Sequence, residues 1–247
     1  MHEHVFLLMP SQEVTLLFPD GQKREYAYGI SGLDIALSIS EGLARNALSY
    51  TINGEIRDLN RPVVENGTFT LNTWDTEDGQ YTFWHSSAHL MAEAIQALYP
   101  EAKFAIGPPI ETGFYYDVDF GEYDFSQEDL ERIEQKMLAL ARNKEEFVRK
   151  EVTAEEAQAF YRARSNDYKT ELIQDLADET ITFYTQGDFT DLCRGPHIPN
   201  TGAIKAVKLL STAGAYWRGD VTRKQLTRIY GITFPKQKQL KEYLHQL

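Results

Sequence analysis

Tyr50-Thr-Ile-Asn53-Gly54-Glu-Ile-Arg-Asp58 carries the clearest fold signal in the first part of the chain. Asn53-Gly54 joins two short β-prone runs, and both residues tolerate positive φ, so the segment reads as a hairpin. On its N-terminal side, Glu13–Phe18 and Lys23–Tyr28 form a second strand pair around the turn Pro19-Asp20-Gly21. Gly32–Ser40 places Leu33, Ala36, Leu37 and Ile39 at roughly helical spacing. On its C-terminal side, Thr68–Asn72 alternates as a last strand. The order ββαβββ predicts a small half-open sheet crossed by one helix, a β-grasp arrangement.

Thr73–Gly79 is polar and acidic and reads as a boundary, with a helix expected over His85–Leu98 and Pro100 just past its end. Gly107–Phe120 reads as loop, then strand. Ser126-Gln-Glu-Asp129 and Thr153-Ala-Glu-Glu156 each have the form of a capping box. The first opens a helix with Leu130, Ile133, Met137 and Leu140 on one face; the second opens one ending near Arg164. Thr180–Gln186 and Leu226–Thr233 are strand candidates, and Pro235–Leu247 is an amphipathic helix. Its apolar stripe (Leu240, Tyr243, Leu244, Leu247) reaches the last residue without a cap, which suggests that the chain continues into a further domain. The expected fold class is α+β: a β-grasp domain over residues 13–74, then a larger α+β domain with antiparallel sheet and helices over 75–225. Residues 1–12 read as a leader and 226–247 as a linker and helix.

With 247 residues, 42% of them apolar, the chain can bury a real core without disulfides. The single cysteine, Cys193, excludes an intramolecular disulfide and fits a reducing compartment. No apolar run reaches the length of a membrane span, and the short patch Val5–Met9 lacks the features of a signal peptide, so a cytoplasmic protein is expected. The net charge of −12 argues against nonspecific polyanion binding by the whole surface. From Ala203 onward, however, basic residues outnumber acidic ones, and an acidic body with a basic end can dock a polyanion on one face.

Chemistry concentrates in two segments. His85-Ser-Ser-Ala-His89 places two imidazoles on one helix face. Asp191-Leu-Cys193-Arg-Gly-Pro-His197 brings a thiol and a third imidazole together in a turn-forming loop. His85, His89, Cys193 and His197 are a set that zinc accepts, and equally a set of polar groups able to orient a water or a ribose hydroxyl without metal. The alternatives are core histidines arising by chance and a cysteine acting as a small buried hydrophobe.

His85–His89, Ala105-Ile-Gly-Pro108, Gly113-Phe-Tyr-Tyr-Asp117, Asp191–His197 and Ser211-Thr-Ala-Gly-Ala-Tyr-Trp-Arg-Gly-Asp220 resemble consecutive landmarks of the editing domain of bacterial threonyl-tRNA synthetases. Residues 13–73 resemble the TGS domain that precedes it, and Leu226–Leu247 the connection toward a catalytic domain. Alanyl-tRNA editing domains share the HxxxH and CxxxH core; the blocks around Cys193 and Trp217 favour the threonyl branch. The family usually has a basic residue before the first histidine, where this chain has Trp84.

The resemblance implies post-transfer proofreading, the hydrolysis of the ester joining serine to the end of threonine tRNA. Losing one methyl(ene) contact discriminates by only roughly 1–3 kcal/mol, so a second, smaller pocket adds a second sieve. It also implies that His85, His89, Lys169, Asp191, Cys193 and His197 carry the reaction, with Tyr116 at the pocket. Lys169 would position water or stabilise charge on the ester oxygen, His85 would transfer a proton or orient the ribose, and Asp191 would bind the serine ammonium or hold Lys169. The threonyl branch is expected to work without metal, with zinc on the two histidines, Cys193 and His197 as the alternative. ATP, magnesium and a second zinc belong to the catalytic domain of such enzymes, which this chain lacks. The expected partner is tRNA(Thr), through its aminoacylated 3′ end, with no membrane. The parent is expected to dimerise through the missing domain and this chain to be a monomer. Two other readings stand beside it: a freestanding trans-editing hydrolase, and a non-catalytic tRNA-binding or regulatory module.

Overall fold

The computed structural model describes residues 13–176 and 180–247; the expected leader lies outside them. The Asn53-Gly54 turn has positive φ at both residues (50° and 85°) and joins β3 (Ser49–Ile52) to β4 (Glu55–Asp58). Before it come β1 (Glu13–Leu17), β2 (Lys23–Ala27), α1 (Gly32–Ile39) and α2 (Glu41–Asn46); after it comes β5 (Gly67–Asn72). The sheet order is β2-β1-β5-β3-β4, with β1 parallel to β5 and the other pairs antiparallel. This is the β-grasp order, and Leu16, Ile35, Tyr50, Ile52, Val63 and Phe69 form its core. The sequence reading missed α2. Ser40 ends α1 with extended backbone and then accepts from the Leu43 N–H, so one short polar residue stops one helix and caps the next.

The larger domain opens with α3 (Glu77–Leu98), which corrects the expected start at His85. Thr76 caps it by accepting from the Gly79 N–H at 3.1 Å, and Glu77 and Asp78 lie at the positive end of the helix dipole. The end of the polar stretch read as a boundary, Glu77–Gly79, is therefore the first turn of the helix. From Thr82 to Ile95 every residue of α3 is buried, and Ser86 and Ser87 turn their hydroxyls back onto carbonyls of the preceding turn. The helix packs against β3 of the small sheet on one side and the strands of the larger domain on the other. The Trp84 indole is buried, donates to the Thr233 carbonyl at 3.1 Å and meets the Trp74 ring edge-on.

The remaining elements are β6 (Lys103–Phe104), β7 (Phe114–Asp119), α4 (Gln127–Ala141), β8 (Val148–Val152), α5 (Ala154–Arg162), α6 (Asp167–Asp175), β9 (Ile181–Gln186), β10 (Phe189–Leu192), β11 (Ala206–Tyr216), β12 (Gln225–Phe234) and α7 (Gln237–Gln246). Two antiparallel sheets result, β10-β9-β8 and β11-β12-β7-β6. Both capping boxes are present, at Ser126/Asp129 and Thr153/Glu156, and Leu130, Ile133 and Met137 are buried as the α4 spacing requires. The linker expected from residue 226 needs correction: β12 lies between β11 and β7, so residues 225–234 are an interior strand. Alternation alone could not tell such a strand from a connector that happens to be β-branched. Of the α7 stripe, Leu240 is buried, Tyr243 packs on Phe234, and Leu244 and Leu247 are exposed. The α+β class holds throughout: a β-grasp sheet followed by a larger domain of helices on antiparallel sheets. Among the described residues no helix is long and apolar enough to cross a membrane.

Candidate active site

α3 presents His85 and His89 one turn apart, and the loop leaving β10 brings Cys193 and His197 against them. The His85 and His197 ring centres are 4.3 Å apart, and those of His89 and His197 4.2 Å. The Cys193 Sγ lies 3.3 Å from His85 Nε2 and 3.2 Å from His197 Nε2. Gly195 holds the loop: its φ is +76°, and a Cβ there would fall 2.3 Å from the Tyr184 hydroxyl oxygen. Phe147 stacks flat on the His197 ring (4.8 Å, 7°), and Tyr184 meets that ring edge-on.

The hydrogen-bond partners fix where the ring protons sit. His85 Nδ1 is 3.1 Å from the Pro196 carbonyl, which can only accept, so Nδ1 carries the hydrogen and Nε2 the lone pair. The Ser86 hydroxyl spends its one hydrogen on the Thr82 carbonyl and accepts from the Ile198 N–H, so His197 Nδ1 donates to it. His197 Nε2 therefore also carries a lone pair. Two imidazole lone pairs converge on a single S–H, and one is left unmatched. His89 adds a buried Nδ1 with no partner among the described residues. Burial keeps all three rings neutral: His85 falls to about 4, His89 to about 3, and His197 lies well below its ordinary value. Burial likewise pushes the Cys193 thiol up, so it is a thiol and not a thiolate.

The charged part of the site is Lys169–Asp191. Lys169 lies in the first turn of α6, where Asn166 accepts from its N–H and ties the helix start to the Phe104 carbonyl. Its ammonium is 2.6 Å from Asp191 Oδ1 and 3.3 Å from the Tyr116 hydroxyl, with both charged side chains about 95% buried. Asp191 also accepts from Tyr116, from Tyr161 at 3.2 Å and from its neighbour's N–H, the Leu192 amide, at 2.8 Å; His89 Nε2 stands 3.8 Å off. Burial alone would raise its carboxyl; the Lys169 ammonium, His89 and the hydrogen bonds from Lys169 and Tyr116 outweigh it and hold it below the ordinary carboxylate range.

All seven residues singled out from the sequence thus meet in one place. The reading passed over Ser86, Tyr161, Tyr184, Phe147 and Gln186, whose amide donates to the His89 carbonyl. Ser86 lies inside the HxxxH motif and could have been found there; the others carry no local signal. A cleft of about 720 Å³ shares Asp191 and Tyr161 with the site but touches none of the histidines, whereas one of about 210 Å³ is lined by Thr182, Leu192, Cys193 and Arg194. The smaller one meets the thiol, and a third, of about 360 Å³, is lined by Asp58, Phe147 and His197.

The donor set also fits a metal. The ligand atoms of His85, His89, Cys193 and His197 lie within 4.8 Å of one another, and the spacings at Cys193 are near the ~3.4 Å edge of a tetrahedron with zinc's ligand distances. The Nδ1 bonds of His85 and His197 are the outer contacts that zinc-ligating histidines have.

Residues 13–72 match the TGS domain family, and residues 181–230 match the family described as the threonyl and alanyl tRNA synthetase second additional domain. The chain is 60% identical over 231 residues to a threonine–tRNA ligase of Cytophaga hutchinsonii, covering 94% of this chain and 36% of that protein. It is 57% identical over 231 residues to the enzyme so named from Parabacteroides distasonis, with the same coverage. It is 50% identical over 234 residues to that from Flavobacterium johnsoniae, covering 95% and 36%. The chain spans just over a third of the length of these relatives.

Proposed function

We propose, on the premise that this chain belongs by its TGS and second additional domains with the threonyl-tRNA synthetases, that it hydrolyses the ester of seryl-tRNA(Thr) as the proofreading step of such an enzyme. The observation that carries this reading is one buried cluster in which neutral imidazole lone pairs meet at Cys193 and His89 stands 3.8 Å from the carboxylate of the Lys169–Asp191 pair. An ester needs an acceptor for the proton of the attacking water or the ribose hydroxyl, and a positive group for the oxygen that gains charge.

His85 is the acceptor: with Nδ1–H given to the Pro196 carbonyl, its Nε2 lone pair faces Cys193, and a ring held neutral near pH 7 can accept a hydrogen bond at that atom. His197 and Cys193 fix the direction of that lone pair, and His89 packs behind them. Lys169 supplies the charge. Asp191 is its counter-ion in a dry site, and of the two roles open to Asp191 the short contact to Lys169 favours this one over binding the serine ammonium. Tyr116 completes the pair by bonding to both charged groups. Of the site residues the 210 Å³ cleft reaches Cys193, and its volume, below that of ordinary ligand pockets, suits an aminoacyl group.

A zinc ion held by His85, His89, Cys193 and His197 would supply Lewis acidity or an activated water, provided a coordination position stayed open. Four protein ligands close a tetrahedral site, so we assign hydrolysis to the side chains and not to a metal. Ligation of threonine, with its ATP and magnesium, we assign to the part of such enzymes beyond this chain, and tRNA(Thr) is the proposed partner. The chain is proposed to act as a monomer.

The test is hydrolysis of seryl-tRNA(Thr) by the chain, with and without chelator, beside His85→Ala. Turnover that survives chelation and is lost in the variant is expected. No turnover above buffer, with tRNA binding intact, would favour a non-catalytic tRNA-binding module.

A further inference from the structure

The β3–β4 hairpin of the TGS domain reaches both polypeptide segments that carry the site. Asp58, at the end of β4, accepts from the His197 backbone N–H at 2.7 Å through Oδ1 and from the Tyr184 hydroxyl at 2.6 Å through Oδ2. Tyr184 is the residue whose ring packs on the His197 imidazole and whose hydroxyl sits over Gly195. One carboxylate thus holds the Cys193–His197 loop by its backbone and by the ring that buttresses it. On the other side of the hairpin, Ser49 and Thr82 share a hydrogen bond of 3.0 Å, and Thr51 donates to Asp78 at 2.6 Å. Thr82 and Asp78 are one and two turns before His85 on α3, and the Thr82 carbonyl accepts from Ser86, the partner of His197. These contacts fasten helix and loop to the same two strands of a separate sheet.

We propose that the β3–β4 hairpin sets the geometry of the hydrolytic site, with Asp58 as a positioning residue that holds the Cys193–His197 loop against α3. Asp58 touches no reacting atom; it acts through the His197 amide and Tyr184. The hydrolytic part of this inference rests on the function proposed above, but the positioning part does not. A shift of about 1 Å in a reacting group is enough to cost on the order of 100-fold in rate, and a loop held at one end by cross-domain hydrogen bonds can shift by that much when they are removed.

Cys193 is the only cysteine of the chain, so its rate of reaction with a disulfide reagent such as DTNB reads the loop without reference to hydrolysis. The test uses the full chain as wild type, Asp58→Ala, Asp58→Asn and Tyr184→Phe, with circular dichroism to show that each is folded. Asp58→Ala removes both acceptors; Asp58→Asn keeps a carbonyl for the His197 amide and an amide that the Tyr184 oxygen can accept from. The expected results for Asp58→Ala are a thiol reaction at least tenfold faster and a roughly 10- to 100-fold lower kcat on seryl-tRNA(Thr) with KM within about twofold. Asp58→Asn should recover most of both effects, and Tyr184→Phe should lie between; if Asp58→Ala does not fold, the comparison of Tyr184→Phe with wild type decides. Equal thiol rates in the wild type and the alanine variant overturn the inference, and so does a defect confined to KM, which would make Asp58 a tRNA contact. If the wild type lacks hydrolysis but its thiol rate responds as stated, the positioning role stands and the hydrolase reading falls.

Discussion

Lys169→Met removes the charge of the buried pair while keeping most of the side chain's volume, and it tests the electrostatic half of the site. Asp191 would then be a carboxylate about 95% buried, left with neutral donors from Tyr116, Tyr161 and the Leu192 amide. Breaking a buried ion pair from one side costs about 3–5 kcal/mol. The three remaining donors each still favour the charged oxygen, which places the loss near the lower end, about 3 kcal/mol. For a chain of this size that corresponds to a fall in Tm of roughly 6–12 °C. The cost also changes with pH. In the wild type the Asp191 carboxyl is held below its ordinary value, so the pair's contribution is complete above the ordinary carboxylate range and is lost as pH falls through the lowered value. In Lys169→Met burial acts unopposed by the ammonium and raises the carboxyl, so the difference between variant and wild type shrinks as pH falls from 7 toward 5. Adding Asp191→Asn to Lys169→Met should return part of the stability, because the stranded charge is gone. Urea unfolding followed by tryptophan fluorescence reads this directly, since Trp74, Trp84 and Trp217 all pack in the larger domain. A loss below about 1 kcal/mol for Lys169→Met, or a double variant whose loss is the sum of the two single ones, would refute the buried-pair reasoning.

Three further outcomes follow from the same structure. The neutral histidines take up protons only on unfolding, so each adds about 1.4 kcal/mol of instability per pH unit between its ordinary value and its lowered one; metal-free protein should lose stability steeply from about pH 6 to 5 by urea titration, and a flat profile there would contradict burial of the three rings. Gly195→Ala forces a Cβ at positive φ into the Tyr184 hydroxyl, so it should destabilise by at least 1 kcal/mol and expose Cys193 to thiol reagents, whereas Gly29→Ala, with open space around it, should leave Cys193 unchanged. Zinc added in stoichiometric amount to the metal-free chain should raise Tm if the four donors bind it together, and His89→Ala should abolish that rise; elemental analysis and calorimetry check both.

How much of this was legible in the sequence depended on how local each signal was. Asn53-Gly54, the two capping boxes and the α4 stripe are decided within a few residues, and the structure follows them. The start of α3 was misplaced because Thr76 caps from inside a polar run, where acidity reads equally as linker or as first helical turn. Leu226–Thr233 is legible as a strand, but its place inside the sheet is not, because it depends on β7 and β11, which flank it only after folding. The histidines and Cys193 could be named from spacing, but their proton positions depend on Ser86, Pro196 and Thr82, and no pattern predicts those contacts. Lys169 has no motif of its own, and its partner Asp191 lies on β10, a four-residue strand that runs directly into the Cys193–His197 loop. Asp58 was least visible of all, since its reach to His197 crosses 139 positions of sequence.

The proposed proofreading requires that this chain cleave a serine ester and spare a threonine ester on the same tRNA. Its most direct measurement is single-turnover deacylation of seryl-tRNA(Thr) and threonyl-tRNA(Thr) by the chain alone, near pH 7. Hydrolysis of the seryl ester is expected to be at least tenfold faster than that of the threonyl ester, with the difference and the rate both lost in Lys169→Ala. Equal rates on the two esters, or a seryl rate that Lys169→Ala leaves untouched, would contradict it.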